Sequence, residues 1–116
     1  MLSFSELVSY QQQFEEERGL LGFNNPLLLV ERARRELDEL EHALSNGHTS
    51  EQKASEVADI IIFMAAVMLK LGIENPDEII RAKMERNDRK YAVEYFLTAE
   101  HPQAAIDMAR EAWKGN

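Results

Sequence analysis

Residues 55–72 read SEVADIIIFMAAVMLKLG and form the most apolar stretch of the chain. Between Val57 and Leu69 every residue is apolar except Asp59. At about 100° per residue, such a run covers nearly the whole circumference of a helix, so it predicts a helix covered by more than one neighbour. Because an ionised carboxylate out of water requires a partner, we expect a cation or a metal ion opposite Asp59. Glu56 lies three residues earlier, on the same face.

The composition is that of an ordinary soluble domain, with 45% apolar and 29% charged residues in 116. This length is enough for a single modest core. We therefore predict one domain over residues 1–116, with a core over about 3–95 and a C-terminal helix over about 102–114.

The charge balance and the lack of cysteine limit the partners and the compartment. Thirteen basic residues against 21 acidic ones give a net charge of −8, which argues against a nucleic-acid partner. No cysteine is available for disulfides or for zinc, which suits a reducing cytoplasm. The first ten residues do not resemble a signal peptide, and the apolar run is shorter than the roughly 20 residues that cross a bilayer. We expect a cytoplasmic protein with no membrane partner.

Helix-start signals divide the chain into five helical segments. They are Ser3 with Glu6, Asn25-Pro26, Thr49 with Gln52, Asn75-Pro76 and His101-Pro102. The first three helices should end near residues 18, 45 and 72. No segment shows the period-2 alternation of a strand. These signals predict an all-α fold, most simply a four-helix bundle with an additional C-terminal helix.

Two pairs of acidic residues stand three residues apart on adjacent predicted helices. They are Glu36 with Glu39 and Glu56 with Asp59. The link over about residues 46–49 is short enough to make the two helices antiparallel neighbours, so the carboxylates can face one another. Four bare carboxylates would repel, whereas hard oxygen ligands suit Mg²⁺ or Mn²⁺. The spacing therefore predicts a divalent metal site formed by all four residues.

Several segments also resemble motifs of one enzyme family. ELDEL at 36–40 and EVADIIIF at 56–63 resemble the E-x-x-E-L and E-x-x-D segments of the all-α nucleoside triphosphate pyrophosphohydrolases, which include MazG-like enzymes and dCTP pyrophosphatases. KMERNDRKY at 83–91 is similar to the family's K-M-x-x-N-x-x-R-Y segment. FNNP at 23–26 resembles the dCTP pyrophosphatase branch. The resemblance covers about residues 10–91, with the motifs in the family's order.

This resemblance implies Mg²⁺-dependent hydrolysis of a (deoxy)nucleoside triphosphate to the monophosphate and pyrophosphate. It implies a catalytic and metal-binding set of Glu36, Glu39, Glu56 and Asp59, with Glu39 as our candidate proton acceptor. The substrate-binding residues that we predict are Lys83, Asn87, Lys90, Tyr91, Phe63 and Gln11. The first four would contact the phosphates and the sugar, while Gln11 and Asn24 are candidates for reading a base edge.

The chain departs from the family pattern at three of these positions. Lys90 replaces the usual arginine, which keeps the charge and loses the bidentate geometry toward phosphate. Phe63 stands where a tyrosine is common, and Leu20 stands where relatives selective for dCTP carry tryptophan. Phe63 lacks the hydroxyl group of that tyrosine, and Leu20 lacks the stacking surface of that tryptophan.

Two other functions remain open on the sequence. One is a phosphoribosyl-ATP pyrophosphohydrolase of the same broad superfamily, and the other is a non-catalytic helical dimerisation or adaptor protein. Because the third helix is apolar on more sides than its own bundle covers, we expect a homodimer or a dimer of dimers with this helix near the subunit contact.

Overall fold

The computed structural model describes residues 1–115, and these form an all-α protein. Its helices are α1 (Phe4–Arg18), α2 (Pro26–Ser45), α3 (Ser50–Lys70), α4 (Pro76–Lys90), α5 (Val93–Thr98) and α6 (Pro102–Trp113). No strand occurs within these residues. No helix in this part of the chain is long and apolar enough to cross a membrane. The predicted all-α class is confirmed.

Four of the predicted helix starts are built by the expected side chains. At α6, His101 Nδ1 accepts a hydrogen bond from the Ala104 N–H, and Pro102 occupies the first turn. The Asn25 side chain accepts a hydrogen bond from the Leu28 N–H, and Pro26 occupies the first turn of α2. Thr49 and Gln52 form a reciprocal capping box at the start of α3, with both hydrogen bonds present. At α1, Ser3 Oγ accepts from the Glu6 N–H at 3.1 Å, which satisfies one of the helix's unpaired backbone donors.

Two features of the helices differ from the prediction. Helix α3 ends at Lys70, with Leu71 as its C-cap, so it stops before the expected Gly72. The short helix α5 was not predicted because its six residues offer no capping side chain and no complete apolar stripe. The first difference lies within the usual uncertainty of a helix end.

The described chain divides into two compact units, and the first of these ends at Pro76. In this unit α1 and α2 both pack against α3. Its buried apolar residues are Val8, Leu29, Ala33, Ala43, Ala65 and Ala66. Gly19 takes a left-handed conformation (φ 66°) at the end of α1, which lets the chain turn into the link over residues 20–25. Leu20 and Asn24 of this link line a cavity beside α1 and α3.

The second unit begins at Asp77 and contains most of α4 together with α5 and α6. Helix α5 packs on α6, where Ala105 and Ala109 are buried. The guanidinium of Arg86 lies 5.4 Å from the centroid of the Trp113 ring. These contacts join α4 to α6 within the unit. The prediction of a single domain over the whole chain stays a prediction.

Helix α3 is covered by two neighbours, as expected, but much of its apolar surface is exposed. Its only buried residues within the described chain are Ala65 and Ala66. Val57, Ile61 and Met64 lie at positions i, i+4 and i+7, and they are 42%, 42% and 37% exposed. The prediction of burial on most sides is therefore wrong for the isolated chain, because α1 and α2 leave this stripe uncovered.

Candidate metal centre and adjoining cavity

Three of the four predicted carboxylates come together between α2 and α3. One carboxylate oxygen from each of Glu36, Glu56 and Asp59 lies within 4.8 Å of the other two. The packing of α2 on α3 across the short link 46–49 places the three side chains on facing surfaces. The i, i+3 spacing keeps Glu56 and Asp59 on one face of α3. The predicted convergence of these three side chains is thus present in the structure.

The cluster contains carboxylate oxygens that are buried without a partner. Within residues 1–115, Glu36 Oε2 and Glu56 Oε2 are inaccessible to solvent and make no hydrogen bond. The pKa of the Glu36 carboxyl is raised from 4.5 to about 7, chiefly by burial and in addition by the neighbouring carboxylates of Glu39, Asp59 and Glu56. The cluster therefore holds more negative charge than the protein itself neutralises.

Two predictions about the acidic residues need correction. Asp59 is exposed, so its carboxylate is not enclosed by the apolar residues around it in sequence. No cation of the described chain forms an ion pair with Asp59. Glu39 is also exposed and lies outside the group of three, although it is close enough to Glu36 to raise the pKa of that residue.

The donor set fits a hard divalent cation. Three carboxylate oxygens within 4.8 Å of one another can be brought to the 2.0–2.1 Å distances that Mg²⁺ requires by small side-chain rotations. The two buried oxygens without a hydrogen-bond partner would gain a positively charged partner if the cation were bound. A site with few protein ligands is what Mg²⁺ usually occupies, because it keeps several waters.

A cavity of about 350 Å³ lies beside the cluster, between α1, α2, α3 and the link after α1. Its walls are mostly aromatic and aliphatic, with a few polar groups. The lining residues are Tyr10, Gln11, Phe14, Leu20, Asn24, Leu29, Arg32, Asp59, Ile62, Phe63 and Ala66. Asp59 belongs both to this wall and to the carboxylate cluster, so the cavity and the candidate metal centre adjoin.

A buried polar network lies behind the cavity wall that α1 contributes. Gln11 Nε2 donates to Glu15 Oε2 at 3.2 Å, and Lys70 Nζ lies 2.7 Å from Glu15 Oε1. Lys70 also donates to the backbone carbonyl of Leu21 at 2.9 Å. The Glu15 side chain is completely buried. Glu15 and Lys70 were not predicted as site residues, because they are 55 positions apart on different helices. The four-residue spacing of Gln11 and Glu15 is the part of this network that the sequence pattern could indicate.

A second polar pair also lines the cavity and joins the link before α2 to α2 itself. Asn24 is 7% exposed, and its Oδ1 accepts a hydrogen bond from Arg32 Nη1 at 3.2 Å. The Arg32 guanidinium also lies 5.7 Å from the centroid of the Phe23 ring. Arg32 was not predicted as a site residue, because a single arginine on a helix carries no distinguishing pattern.

The remaining predicted residues fall into two groups. Gln11 and Phe63 line the cavity, as a role in substrate binding requires. Lys83 and Asn87 are exposed on α4, in the second unit of the chain. Lys90 and Tyr91 follow in the same unit and are half-buried, with Lys90 Nζ 5.3 Å from the centroid of the Tyr91 ring. The roles of these four residues toward phosphate and sugar stay predictions.

Tyr91 has an identified partner within its own unit. Arg110 Nε donates to the Tyr91 hydroxyl at 3.4 Å, and this hydrogen bond is the main reason that the pKa of Tyr91 is lowered. The nearby positive charge of Lys90 acts in the same direction. The hydroxyl oxygen is therefore oriented by α6.

Comparison with known proteins identifies no relative of the chain. No family model matches it, and neither a curated protein nor a solved structure matches it significantly. The case for a function therefore depends on the site itself and on the motifs quoted above.

Proposed function

We propose that this protein hydrolyses nucleoside triphosphates to the monophosphate and pyrophosphate, with Mg²⁺ as its cofactor and Mn²⁺ as a substitute. The observation that supports this most is the position of Asp59, which lines the cavity and also belongs to the carboxylate cluster. A nucleotide has the same two parts, a flat and largely apolar base and a charged phosphate chain. One site that combines an aromatic cavity with a candidate Mg²⁺ centre suits such a molecule.

In this proposal the metal ligands are Glu36, Glu56 and Asp59, with Glu39 beside them. Bound Mg²⁺ would neutralise phosphate charge and lower the pKa of a water molecule near the reacting phosphorus. Glu39 is exposed and outside the group of three, so it is the carboxylate that we propose as proton acceptor. Its family role as a metal ligand remains the alternative for this residue.

The residues predicted to bind the substrate keep their roles in this proposal. The aromatic side chains of the cavity would contact the base, with Phe63 and Gln11 among them. Lys83 and Lys90, separated by two turns of α4, would supply positive charge to the phosphates, and Asn87 and Tyr91 would contact phosphate or sugar. The sequence contains no glycine-rich phosphate loop, so we propose release of pyrophosphate in one step rather than of the terminal phosphate.

The two other functions make different use of the site. A phosphoribosyl-ATP pyrophosphohydrolase would use the same carboxylates on a larger substrate, so a substrate panel separates it from the leading proposal. An adaptor protein gives no role to two buried carboxylate oxygens without a partner. Such groups destabilise a fold unless a ligand compensates for them, which favours an enzyme.

We also propose the finer architecture and the assembly. Helices α1 to α4 would belong to a four-helix bundle, with α6 as an additional C-terminal helix. The packing of α1 and α2 on α3 supports this arrangement. The exposed apolar stripe of Val57, Ile61 and Met64 supports a homodimer or a dimer of dimers. A housekeeping enzyme of the cytoplasmic nucleotide pool is the setting that we propose.

The experiment that tests the function is a substrate panel with the purified full-length protein. The panel contains the ribo- and deoxyribonucleoside triphosphates and phosphoribosyl-ATP, each with Mg²⁺ and each with a chelator. We expect Mg²⁺-dependent formation of monophosphate and pyrophosphate, and phosphorus NMR identifies these products. A Glu56→Gln variant, prepared in the same way, shows whether a contaminating enzyme is responsible.

Each result of the panel decides one part of the proposal. Nucleoside diphosphate and orthophosphate as primary products would overturn the choice of bond. Hydrolysis of phosphoribosyl-ATP alone would favour the alternative enzyme. If no substrate is hydrolysed with Mg²⁺, or if Glu56→Gln is as active as the parent, the proposed function is wrong.

A further inference from the structure

Two buried side-chain amides line the cavity, and the structure fixes the orientation of both. Gln11 lies on α1 and Asn24 lies in the link before α2, and each is 7% exposed. A primary amide presents an acceptor on one side and two donors on the other. Which of them faces the cavity therefore depends on what the other side of the amide contacts.

The Gln11 amide is oriented by a carboxylate. Its Nε2 donates to Glu15 Oε2, and an ionised carboxylate can only accept. The reversed amide would place two oxygens against each other inside the protein. Lys70 Nζ lies 2.7 Å from the other Glu15 oxygen, so both oxygens of this carboxylate face a donor. Gln11 Oε1 accepts no hydrogen bond from any residue within 1–115, so Gln11 offers an acceptor.

The Asn24 amide is oriented in the opposite sense by a guanidinium. Its Oδ1 accepts from Arg32 Nη1, and a guanidinium can only donate. The reversed amide would place donors against donors. Asn24 Nδ2 makes no hydrogen bond within the part of the chain that the structure describes, so Asn24 offers a donor. The two amides therefore present one acceptor and one donor in the same cavity, each held by a charged neighbour.

We infer that this cavity selects bases whose Watson–Crick edge combines an amino group with an adjacent unprotonated ring nitrogen, namely cytosine and adenine. The amino group donates to Gln11 Oε1, and the ring nitrogen accepts from Asn24 Nδ2. Uracil, thymine, guanine and hypoxanthine present an oxygen beside a protonated ring nitrogen, so both contacts become repulsive. The inference rests on the proposed function for its substrate class, and it names the base edge that the same site reads.

The energetic reason is the cost of leaving buried polar groups without partners. The walls around the two amides are mostly apolar, and water is displaced when a base enters. A wrong base then leaves two protein groups and two base groups unpaired, and each of them loses its hydrogen bonds to water without a replacement. A site built from hydrogen-bonding groups rejects a mismatched substrate more strongly than an apolar pocket does. Glu15, Lys70 and Arg32 act as positioning residues because they hold the amides without contacting the base.

Matched pairs of nucleosides test this inference without metal or phosphate. Cytidine and uridine differ at this base edge alone, and so do adenosine and inosine. We expect the amino member of each pair to bind the full-length protein at least about tenfold more tightly, as measured by NMR titration. The same ratio should appear in the hydrolysis rates of CTP against UTP and of ATP against ITP.

Two variants separate base reading from general damage to the cavity. Asn24→Asp keeps an oxygen for Arg32 and replaces the donor by a second acceptor, so the preference for cytidine over uridine should fall to near unity. Gln11→Met removes the acceptor at similar length and should have the same effect. Gln12→Met is the matched control, because Gln12 makes the same type of bond to Glu16 on the exposed side of α1. It should retain the parent's ratio.

The outcomes distinguish this inference from the proposed function. Equal affinity within each pair, or no binding of any of the four nucleosides at millimolar concentration, overturns the inference even if triphosphates are hydrolysed. Unchanged ratios in both cavity variants also overturn it. If cytidine and adenosine are preferred but no triphosphate is hydrolysed, the base reading stands and the proposed hydrolysis is wrong.

Discussion

Lys70 Nζ lies 2.7 Å from Glu15 Oε1 and joins the end of α3 to the middle of α1. The Glu15 side chain is completely buried, and that of Lys70 is 11% exposed. The same ammonium donates to the carbonyl of Leu21, in the link that lines the cavity. One cation thus neutralises a buried carboxylate and fixes the backbone beside the candidate base site.

The first prediction concerns the stability that depends on this ion pair. Replacing Lys70 by Met leaves the Glu15 carboxylate buried without a counter-charge, so we expect the free energy of unfolding to fall by about 3 kcal/mol. Urea denaturation followed by circular dichroism measures the change. Lys114→Met is the matched control, because its pair with Glu111 is more than three-quarters exposed on both sides and is worth less than about 1 kcal/mol. Equal effects of the two substitutions would contradict the role of Lys70.

The second prediction concerns metal binding. Asp59→Asn removes the charged oxygen that joins the cluster to the cavity, so Mg²⁺ should no longer stabilise the protein against heat. The parent should gain stability as Mg²⁺ rises, because a ligand that binds only the folded state raises its melting temperature. Glu41→Gln, on the exposed surface of α2, removes the same charge outside the cluster and should behave as the parent. If Mg²⁺ protects Asp59→Asn as well as the parent, the metal site is wrong.

The third prediction concerns the pH dependence of stability in the absence of metal. The pKa of Glu36 is raised from 4.5 to about 7, so the folded protein binds this proton more tightly than the unfolded chain does. The resulting stabilisation is complete below about pH 4.5 and is lost as the pH rises through about 7. Unfolding free energies measured from pH 5 to pH 8 should show this fall in the parent.

Glu36→Gln isolates the contribution of this one carboxyl group. As the pH rises over that range, the unfolding free energy of the parent should fall relative to that of Glu36→Gln. Mg²⁺ competes with the proton for the same oxygens, so its affinity for the parent should increase with pH. A difference that is independent of pH would show that the pKa of Glu36 is not raised.

The fourth prediction concerns the positive charges of α4. Lys83→Ala should lower turnover of the preferred triphosphate about tenfold or more, which corresponds to about 1.4 kcal/mol of lost transition-state stabilisation. Mg²⁺-dependent thermal stabilisation should be retained, because Lys83 is not a ligand of the metal. Arg81→Ala is the control, an exposed cation of the same helix outside the proposed phosphate contacts. A similar loss of activity in both variants would point to general charge rather than to a role of Lys83.

The helix starts could be predicted from the sequence because they depend on neighbouring residues. Asn25 and Thr49 cap α2 and α3 by hydrogen bonds that span three residues, so the local pattern contains the whole interaction. The convergence of Glu36 with Glu56 and Asp59 was predictable for a related reason. A short link between two helices forces them together, and the i, i+3 spacing sets which side chains face each other.

Interactions between distant residues, and the degree of burial, could not be predicted in this way. The pairing of Lys70 with Glu15 joins positions on two different helices, and neither residue stands out in its own segment. Asp59 has apolar neighbours in sequence, but it is exposed because it lines a cavity that the helices leave between them. A run of apolar residues indicates that other helices cover this one. It does not indicate whether those helices belong to the same chain or to another copy.

The last prediction concerns the apolar stripe that remains exposed on α3. Val57, Ile61 and Met64 form one continuous surface, which a soluble protein rarely leaves in water. We expect multi-angle light scattering at micromolar concentration to give a mass of two or four chains. Ile61→Glu places a charge in the middle of the stripe, and burying it at a subunit contact is unfavourable, so this variant should dissociate to monomers. Gln103→Glu adds the same charge to the exposed surface of α6 and should leave the assembly intact. A monomeric parent, or an Ile61→Glu variant that assembles as the parent does, would contradict a subunit contact at this stripe.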